Sequence, residues 1–359
     1  MWYIVSKGEK MLKDCPLIHE KGDSGAVLDI SIEDFNALGF EYGDSVDISF
    51  SNGYSMEDVP YYNGYYVEAY QPLLVAYPEA SHVKLTSNYG EDIWITAGLS
   101  EGDTASVSIR CRAKYLEIQK SCDIRYSDER EDFPSDEVFA NFRNISAGRL
   151  GDKVLYRSAS PCDNRHGRAA CTDGLAEDAG IRCILNLADD EEKIGRYIAK
   201  DDFDSPYFLD LYKNGGVLPM SMSMNYLSDD FTESLAEGLT EMAGREGPYL
   251  VHCTEGKDRT GLICLILGAL CGASCDELEE DYMITYDNYY GINRESDPDR
   301  YDRIIRKNFD VMLDAVIAGG SGDARSMDPE AGAERYLLGI GMDRDTIDRL
   351  KGRLEMGKR

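Results

Sequence analysis

The stretch "VHCTEGKDRTGLI" (251–263) places a cysteine, a lysine and an arginine in one glycine-containing segment, spaced as Cys253, five residues, Arg259, then Thr260 and Gly261. Seven residues between a strand and a helix can curl so that their amide N–H groups converge on an anion. A helix starting near Thr260 adds the positive end of its dipole. Arg259 offers a planar fork to two phosphate oxygens. Such a site favours thiolate over thiol at Cys253. A thiolate at the base of a phosphate cradle can attack phosphorus and form a cysteinyl-phosphate. Gly256 lets the backbone approach the anion with no side chain in the way. The competing reading makes Cys253 one of ten cysteines serving as small hydrophobes. A bare C-x5-R match is weak. Its specificity comes from context, with His252 before, Gly256 inside and Thr260-Gly261 after.

The chemistry requires a strand that ends at the cysteine and a helix that starts at the arginine. "PYLV" (248–251) reads as a short central strand delivering His252 and Cys253, and the residues from Thr260 onward, apolar all round, read as a buried helix. The loop then lies at the C-terminal end of a strand, where α/β sheets bind ligands. The flanking pattern alternates from about residue 138. "GIRCILNLAD" (180–189) and "YFLDLY" (207–212) read as strands. "NYLSDDFTESLAEGLTEMAGREG" (225–247) reads as a helix capped by Ser228, and the C-terminal third is helical.

Residues 1–126 differ in kind. Segments rich in Tyr, Val and Ile and broken by Gly, Pro, Asn and Asp predict strands at 26–32, 45–50, 65–70, 73–77, 82–85, 92–97 and 105–113. "LGFEYGDSVDISF" (38–50) resembles "AGLSEGDTASVSI" (97–109), aligning Gly39 with Gly98 and Gly43 with Gly102. Two such halves suggest a small pseudo-symmetric barrel. The aromatic cluster at 53–66 reads as packed sheet aromatics or as a binding surface. "SDEREDFPSDE" (127–137) reads as a linker.

The chain has 359 residues, enough for two domains, and a formal charge of −29, which repels nucleic acids and anionic membranes. An anionic ligand must therefore be drawn in by a local basic site. The N-terminus shows no apolar signal core, and the longest apolar run (261–273) is shorter than the roughly 20 residues a spanning helix needs. No C-x-x-C pair occurs, which argues against a zinc ribbon, and unpaired cysteines in apolar runs suit a reducing cytoplasm. No metal and no cofactor are expected.

"HCTEGKDRTG" resembles the signature loop of the protein tyrosine phosphatase superfamily, and the Lys257-Asp258 pair resembles its bacterial tyrosine and phosphoinositide phosphatase branch. "NFRNISAGRL" (141–150), "VLYRSASP" (154–161), "AGIRCILNLADDEE" (179–192) and "YLLGIGMDRDTIDRLKGRL" (336–354) extend the resemblance over about 140–359. It implies an α/β, protein-tyrosine-phosphatase-like three-layer domain at 138–359, with a central, mostly parallel sheet flanked by helices and preceded by the small β-barrel-like domain. It implies Cys253 as nucleophile, Arg259 as phosphate ligand, Thr260 assisting the thiolate as leaving group, and His252 supporting the loop. Thr254, Glu255, Gly256 and Lys257 would line the pocket, and Lys257 would invite a second anionic group. With no WPD tripeptide in the chain, Asp258 is the implied general acid, with Asp210, Asp229 and Asp230 as rivals. Arg157 and Arg165, in "YRSASPCDNRHGR", are expected at a substrate rim or on a solvated loop. The family often has "DLR" where this chain has "NLA" (186–188), and "NFRDLGG" where it has "NFRNISA". The expected substrate is a phosphotyrosine, phosphoinositide or inositol phosphate. The rival readings are a catalytically silent phospho-ligand binding module, and sulfur transfer or arsenate reduction on the same C-x5-R frame. A partner for the N-terminal domain is not legible.

Overall fold

The computed structural model describes residues 11–20, 25–78, 80–223, 225–226 and 228–356. The N-terminal residues 1–10, on which part of the signal-peptide expectation falls, lie outside the described residues. The chain forms two units, residues 1–124 with 225–227, and residues 125–224 with 228–359.

In the first unit, strands β1 (Met11–Glu20) and β2 (Gly25–Ser31) precede helix α1 (Ile32–Ala37). Strands β3 (Ser45–Phe50), β4 (Ser55–Tyr62), β5 (Pro72–Val75) and β6 (His82–Ser87) follow. Helix α2 (Ile93–Thr96), strand β7 (Thr104–Cys111) and helix α3 (Leu116–Cys122) complete it. The seven strands close in the order β1-β2-β6-β5-β4-β3-β7. All pairs are antiparallel except β4 with β5. Inward residues such as Leu12, Leu28, Val46, Leu85 and Val107 are buried and fill the barrel.

The internal repeat is visible in the backbone. Each copy is a short helix, a left-handed glycine, a second left-handed glycine, and a strand. Gly39 and Gly98 have φ of 93° and 63°, and Gly43 and Gly102 have 90° and 94°. The two equivalent strands, β3 and β7, pair with each other. Two strand expectations fail. Residues 92–97 form helix α2, because Asp92 caps the Trp94 amide and starts a turn. Residues 65–70 form no strand, and Tyr70 at φ 66° turns the chain there. The aromatic cluster at 53–66 contains β4.

The second unit opens with helix α4 (Asp136–Phe139), strands β8 (Arg143–Asn144) and β9 (Leu155–Ser158), helix α5 (Ala169–Asp178) and strand β10 (Cys183–Asn186). Helices α6 (Glu191–Ile198) and α7 (Pro206–Lys213), strand β11 (Val217–Pro219), helix α8 (Asp229–Ala243), strand β12 (Tyr249–His252), and helices α9 (Asp258–Leu270) and α10 (Cys275–Tyr290) follow. Helix α11 (Pro298–Ile304) and helix α12 (Asp310–Leu313) are each followed by a wide π-type turn. Helices α13 (Pro329–Gly339) and α14 (Arg344–Leu354) end the unit.

The sheet order is β11-β10-β12-β9-β8, parallel except for β8 against β9. This is the mostly parallel, helix-flanked sheet that the resemblance implied. Helix α8 starts at the Ser228 cap as expected. "YFLDLY" is helix α7 and not a strand: Pro206 opens its first turn, and the Asp173 carboxylate accepts from the Tyr207 and Phe208 amides. The segment 127–137 is held within this unit. Arg168 donates to Ser127 O and Asp128, and Ser135 caps α4.

Candidate active site

Strand β12 is buried throughout and ends at His252, in register with Ser158 of β9 and Asn186 of β10. Cys253 follows, 4% exposed, and the chain turns through residues 254–257 into α9, whose residues from Thr260 to Leu270 are all buried. A fully buried helix cannot slide to relieve strain, so the position of Arg259 in its first turn is set by the core.

Gly256 is required by geometry. Its φ is 69°, and a Cβ there would lie 2.1 Å from Ser158 O. The turn carries its carbonyls away from the concave side. Gly256 O accepts from Asn141 Nδ2 at 3.2 Å and from Arg157 Nη2 at 2.8 Å, and Arg157 Nη2 also reaches Lys257 O at 3.2 Å. Glu255 O accepts from Tyr289 Oη at 2.7 Å. Donors outside the loop thus take the loop's oxygens.

Arg157 is fully buried, and its Nη1 meets Asp281 Oδ2 at 2.6 Å. The second guanidinium on Asp281 comes from Arg143, at 3.0 Å. Burial pushes the Asp281 carboxyl up, but Arg143 and Arg157 override it and hold it below the usual carboxylate range. Arg157 therefore sits behind the loop as a support, not at the expected substrate rim, because its side chain is fully buried and paired with a carboxylate of the same unit. Arg165 donates to Asp163 Oδ2 at 2.7 Å on a half-exposed turn, so its charge is paired within its own loop.

Arg259 faces differently. Its Nη1 donates to Met222 O at 3.1 Å and its Nη2 to Thr254 Oγ1 at 3.3 Å, and among the described residues it has no carboxylate partner. Its charge is free to meet an anion. His252 is fully buried. Its ring Nδ1 lies 3.1 Å from Cys253 O, which assigns the proton to Nδ1, and burial pushes its pKa down to about 4. A neutral histidine there braces the Cys253 carbonyl. Among the described residues, Nε2 of His252 and Oγ1 of Thr260 are buried with no hydrogen-bond partner. A free hydroxyl in the first turn of α9 suits the leaving-group role implied for Thr260.

Lys257 and Asp258 occupy one flank. Lys257 Nζ lies 3.2 Å from Glu255 Oε2, 3.8 Å from Asp258 Oδ2 and 3.4 Å from Tyr290 Oη. Burial would lower the Lys257 pKa, but Glu255, Tyr290 and Asp258 hold it well above the usual value. Asp258 Oδ1 accepts from Tyr282 Oη at 3.2 Å, and its side chain is one-third exposed. Of the rival acids, Asp229 and Asp230 stand in the first turn of α8, and Asp210 accepts from Asn214 on α7.

Five supporting residues escaped the sequence reading: Asn141, Arg143, Asp281, Tyr126 and Tyr289. Asn141 and Arg143 lie in the quoted "NFRN" segment, so a signal for them existed. Asp281 looks like any other acid of α10 until β8 and β9 bring two arginines to it.

A family model described as "Tyrosine phosphatase family" matches residues 105–355. A tyrosine-protein phosphatase from Nostoc commune is 29% identical over 212 residues, which are 51% of this chain and 68% of that protein. Among solved structures, the core catalytic domain of the PP-IP phosphatase SIW14 from S. cerevisiae is 21% identical. That match covers 46% of this chain and 91% of that one, at a TM-score of 0.27. P. aeruginosa TpbA is 19% identical over 65% of this chain and 98% of that one, at a TM-score of 0.24.

Proposed function

The chain belongs to the tyrosine phosphatase family, and we propose that it hydrolyses phosphate monoesters through a cysteinyl-phosphate on Cys253. The substrate is a phosphotyrosine, a phosphoinositide or an inositol phosphate. One observation carries the reading: Arg259 lies in the first turn of α9, beyond a loop whose carbonyls are bonded outward, and no carboxylate among the described residues neutralises it.

The phosphate sits between the loop amides and the Arg259 fork, which spread and stabilise the charge of the transferring group. Cys253 Sγ attacks phosphorus, and the phosphorus–ester oxygen bond breaks. Asp258 gives its proton to the leaving oxygen, so the product is a neutral alcohol or phenol. Water then attacks phosphorus, the sulfur–phosphorus bond breaks, and Asp258 takes the water proton. Thr260 donates to the departing thiolate, and His252 keeps the Cys253 carbonyl out of the pocket. The chemistry is complete with these side chains.

The test is Cys253→Ser. Turnover of p-nitrophenyl phosphate should fall by on the order of 10⁴-fold or more, as for loss of a nucleophile. Binding of a phosphate ligand should persist, because the amide nest remains. Retained turnover would sink the nucleophile assignment. Phosphate binding without turnover in the native chain would favour a silent phospho-ligand module.

A further inference from the structure

The flank of the loop holds its cation in a way the signature alone does not disclose. Lys257 would be expected to read a second anionic group on the substrate. Its ammonium instead lies between two carboxylates, 3.2 Å from Glu255 and 3.8 Å from Asp258, and only 17% of its side chain is exposed. Two tyrosine rings cover it, with centroids 5.9 Å (Tyr286) and 5.8 Å (Tyr290) from Nζ. The Glu255 carboxylate is itself pinned, since its Oε1 accepts from Tyr126 Oη. Tyr126 is stacked on Tyr289 at 4.9 Å, and Tyr289 donates to the Glu255 carbonyl. Neither charge is therefore free to swing toward a ligand. One ammonium faces two carboxylates, so the flank offers no net positive charge to a second phosphate.

We propose that Glu255 is a specificity-determining residue that, by holding Lys257, turns the site away from polyphosphorylated substrates and toward phosphate monoesters of an aromatic alcohol. This deepens the phosphatase reading and rests on it. A phosphotyrosine carries its charge only on the scissile group, which Arg259 and the loop amides meet. Its ring is uncharged and compatible with a flank of Tyr126, Tyr286, Tyr289 and Tyr290. An inositol polyphosphate would set further phosphates beside Glu255 and Asp258, where like charges repel. The direction of the Glu255 titration agrees. Burial pushes its carboxyl up, yet Lys257 and Tyr126 override that and keep it ionised.

The experiment compares kcat/KM for phosphotyrosine and for a soluble inositol trisphosphate in the full-length chain. The native protein should prefer phosphotyrosine. Glu255→Gln keeps an oxygen for Tyr126 but removes the charge that holds Lys257. It should raise the trisphosphate-to-phosphotyrosine ratio about tenfold, the effect of one close charge pair in a partly solvated setting. The ratio is used because any general damage to the loop divides out. Adding Lys257→Met should erase the gain. Tyr126→Phe, which unpins Glu255 without changing a loop residue, should shift the ratio the same way by a smaller factor. In parallel, Cys253→Ser with and without Glu255→Gln is titrated with the trisphosphate, and affinity should rise about tenfold with the second change. A native preference for the trisphosphate, an unchanged ratio in Glu255→Gln, or a gain that survives Lys257→Met would overturn the proposal. Absence of turnover on both substrates would sink the phosphatase reading instead, and the titration would still decide the role of Glu255.

Discussion

The barrel of the first unit and the open sheet of the second treat their strand ends in opposite ways. In the barrel every strand is paired on both sides, and all neighbours except β4 and β5 are antiparallel, so no more than two adjacent strands end together. Its interior is filled by apolar side chains. In the second unit β9, β10 and β12 run parallel and stop together at Ser158, Asn186 and His252. Parallel strands that stop in register leave a crevice at their carboxyl ends, and the chain must cross it to enter the next helix. The loop from Cys253 to Arg259 is that crossing. Closure stabilises a sheet, and an open parallel sheet provides a place for chemistry.

The contrast can be tested by disturbing each region. The largest stability effect should come from beneath the loop. Arg157→Met leaves Asp281 with one of its two arginines and takes one donor each from the Gly256 and Lys257 carbonyls. Loss of one partner of a buried pair costs about 3–5 kcal/mol, read as a lower denaturant midpoint. The kcat should fall as well, because Asn141 and Tyr289 alone then hold the loop carbonyls from outside. A variant with native stability and native kcat would show that Arg157 does not hold the loop.

The next effect is pH-dependent. His252 titrates at about 4 in the folded chain and near 6.5 when unfolded. Below pH 6.5 the unfolded state therefore binds the extra proton first, and stability is lost as pH falls from 6.5 toward 4. At about 1.4 kcal/mol per unit the total is on the order of 3 kcal/mol. Comparing unfolding of the native chain with His252→Gln across that window isolates the contribution. The variant should show a shallower loss, and an identical slope would mean the ring is not buried neutral.

The smallest effect on chemistry should come from the barrel. Leu28→Ala removes a fully buried side chain and should cost about 2–5 kcal/mol in the unfolding of that unit. The kcat on p-nitrophenyl phosphate should stay unchanged at temperatures where the unit remains folded. A proportionate fall in kcat would show that the barrel shapes the pocket, and the contrast between the two sheets would then be one of packing alone.

The repeat that was legible in the barrel rests on glycine. Only residues tolerant of positive φ stand at 39, 43, 98 and 102, so the turns show in the residue types themselves. The same holds for the loop, where Gly256 marks the close approach to Ser158. Segments whose conformation depends on a partner were not legible. "YFLDLY" carries three aromatic residues that favour strands, but Pro206 and the Asp173 carboxylate make it a helix. "DIWITA" also has strand propensity, but the Asp92 cap wins. β-propensity measures fit to a sheet surface, and it yields when no sheet edge is offered.

The sequence by itself determined the proposed reacting set: a cysteine and an arginine with five residues between them, one of them a glycine, an apolar strand before and an apolar helix after. These follow from local chemistry, because spacing, glycine content and hydrophobic pattern act over a few residues. Only the tertiary structure decided what each charge is for. Arg157 and Arg259 are equally basic as letters. Asp281 takes one into the core, while the other is left without a carboxylate among the described residues. Lys257 is bound to Glu255 under two tyrosine rings contributed by α10. A charge acts through the distance to its neighbours, and that distance is set by packing between elements far apart in the chain.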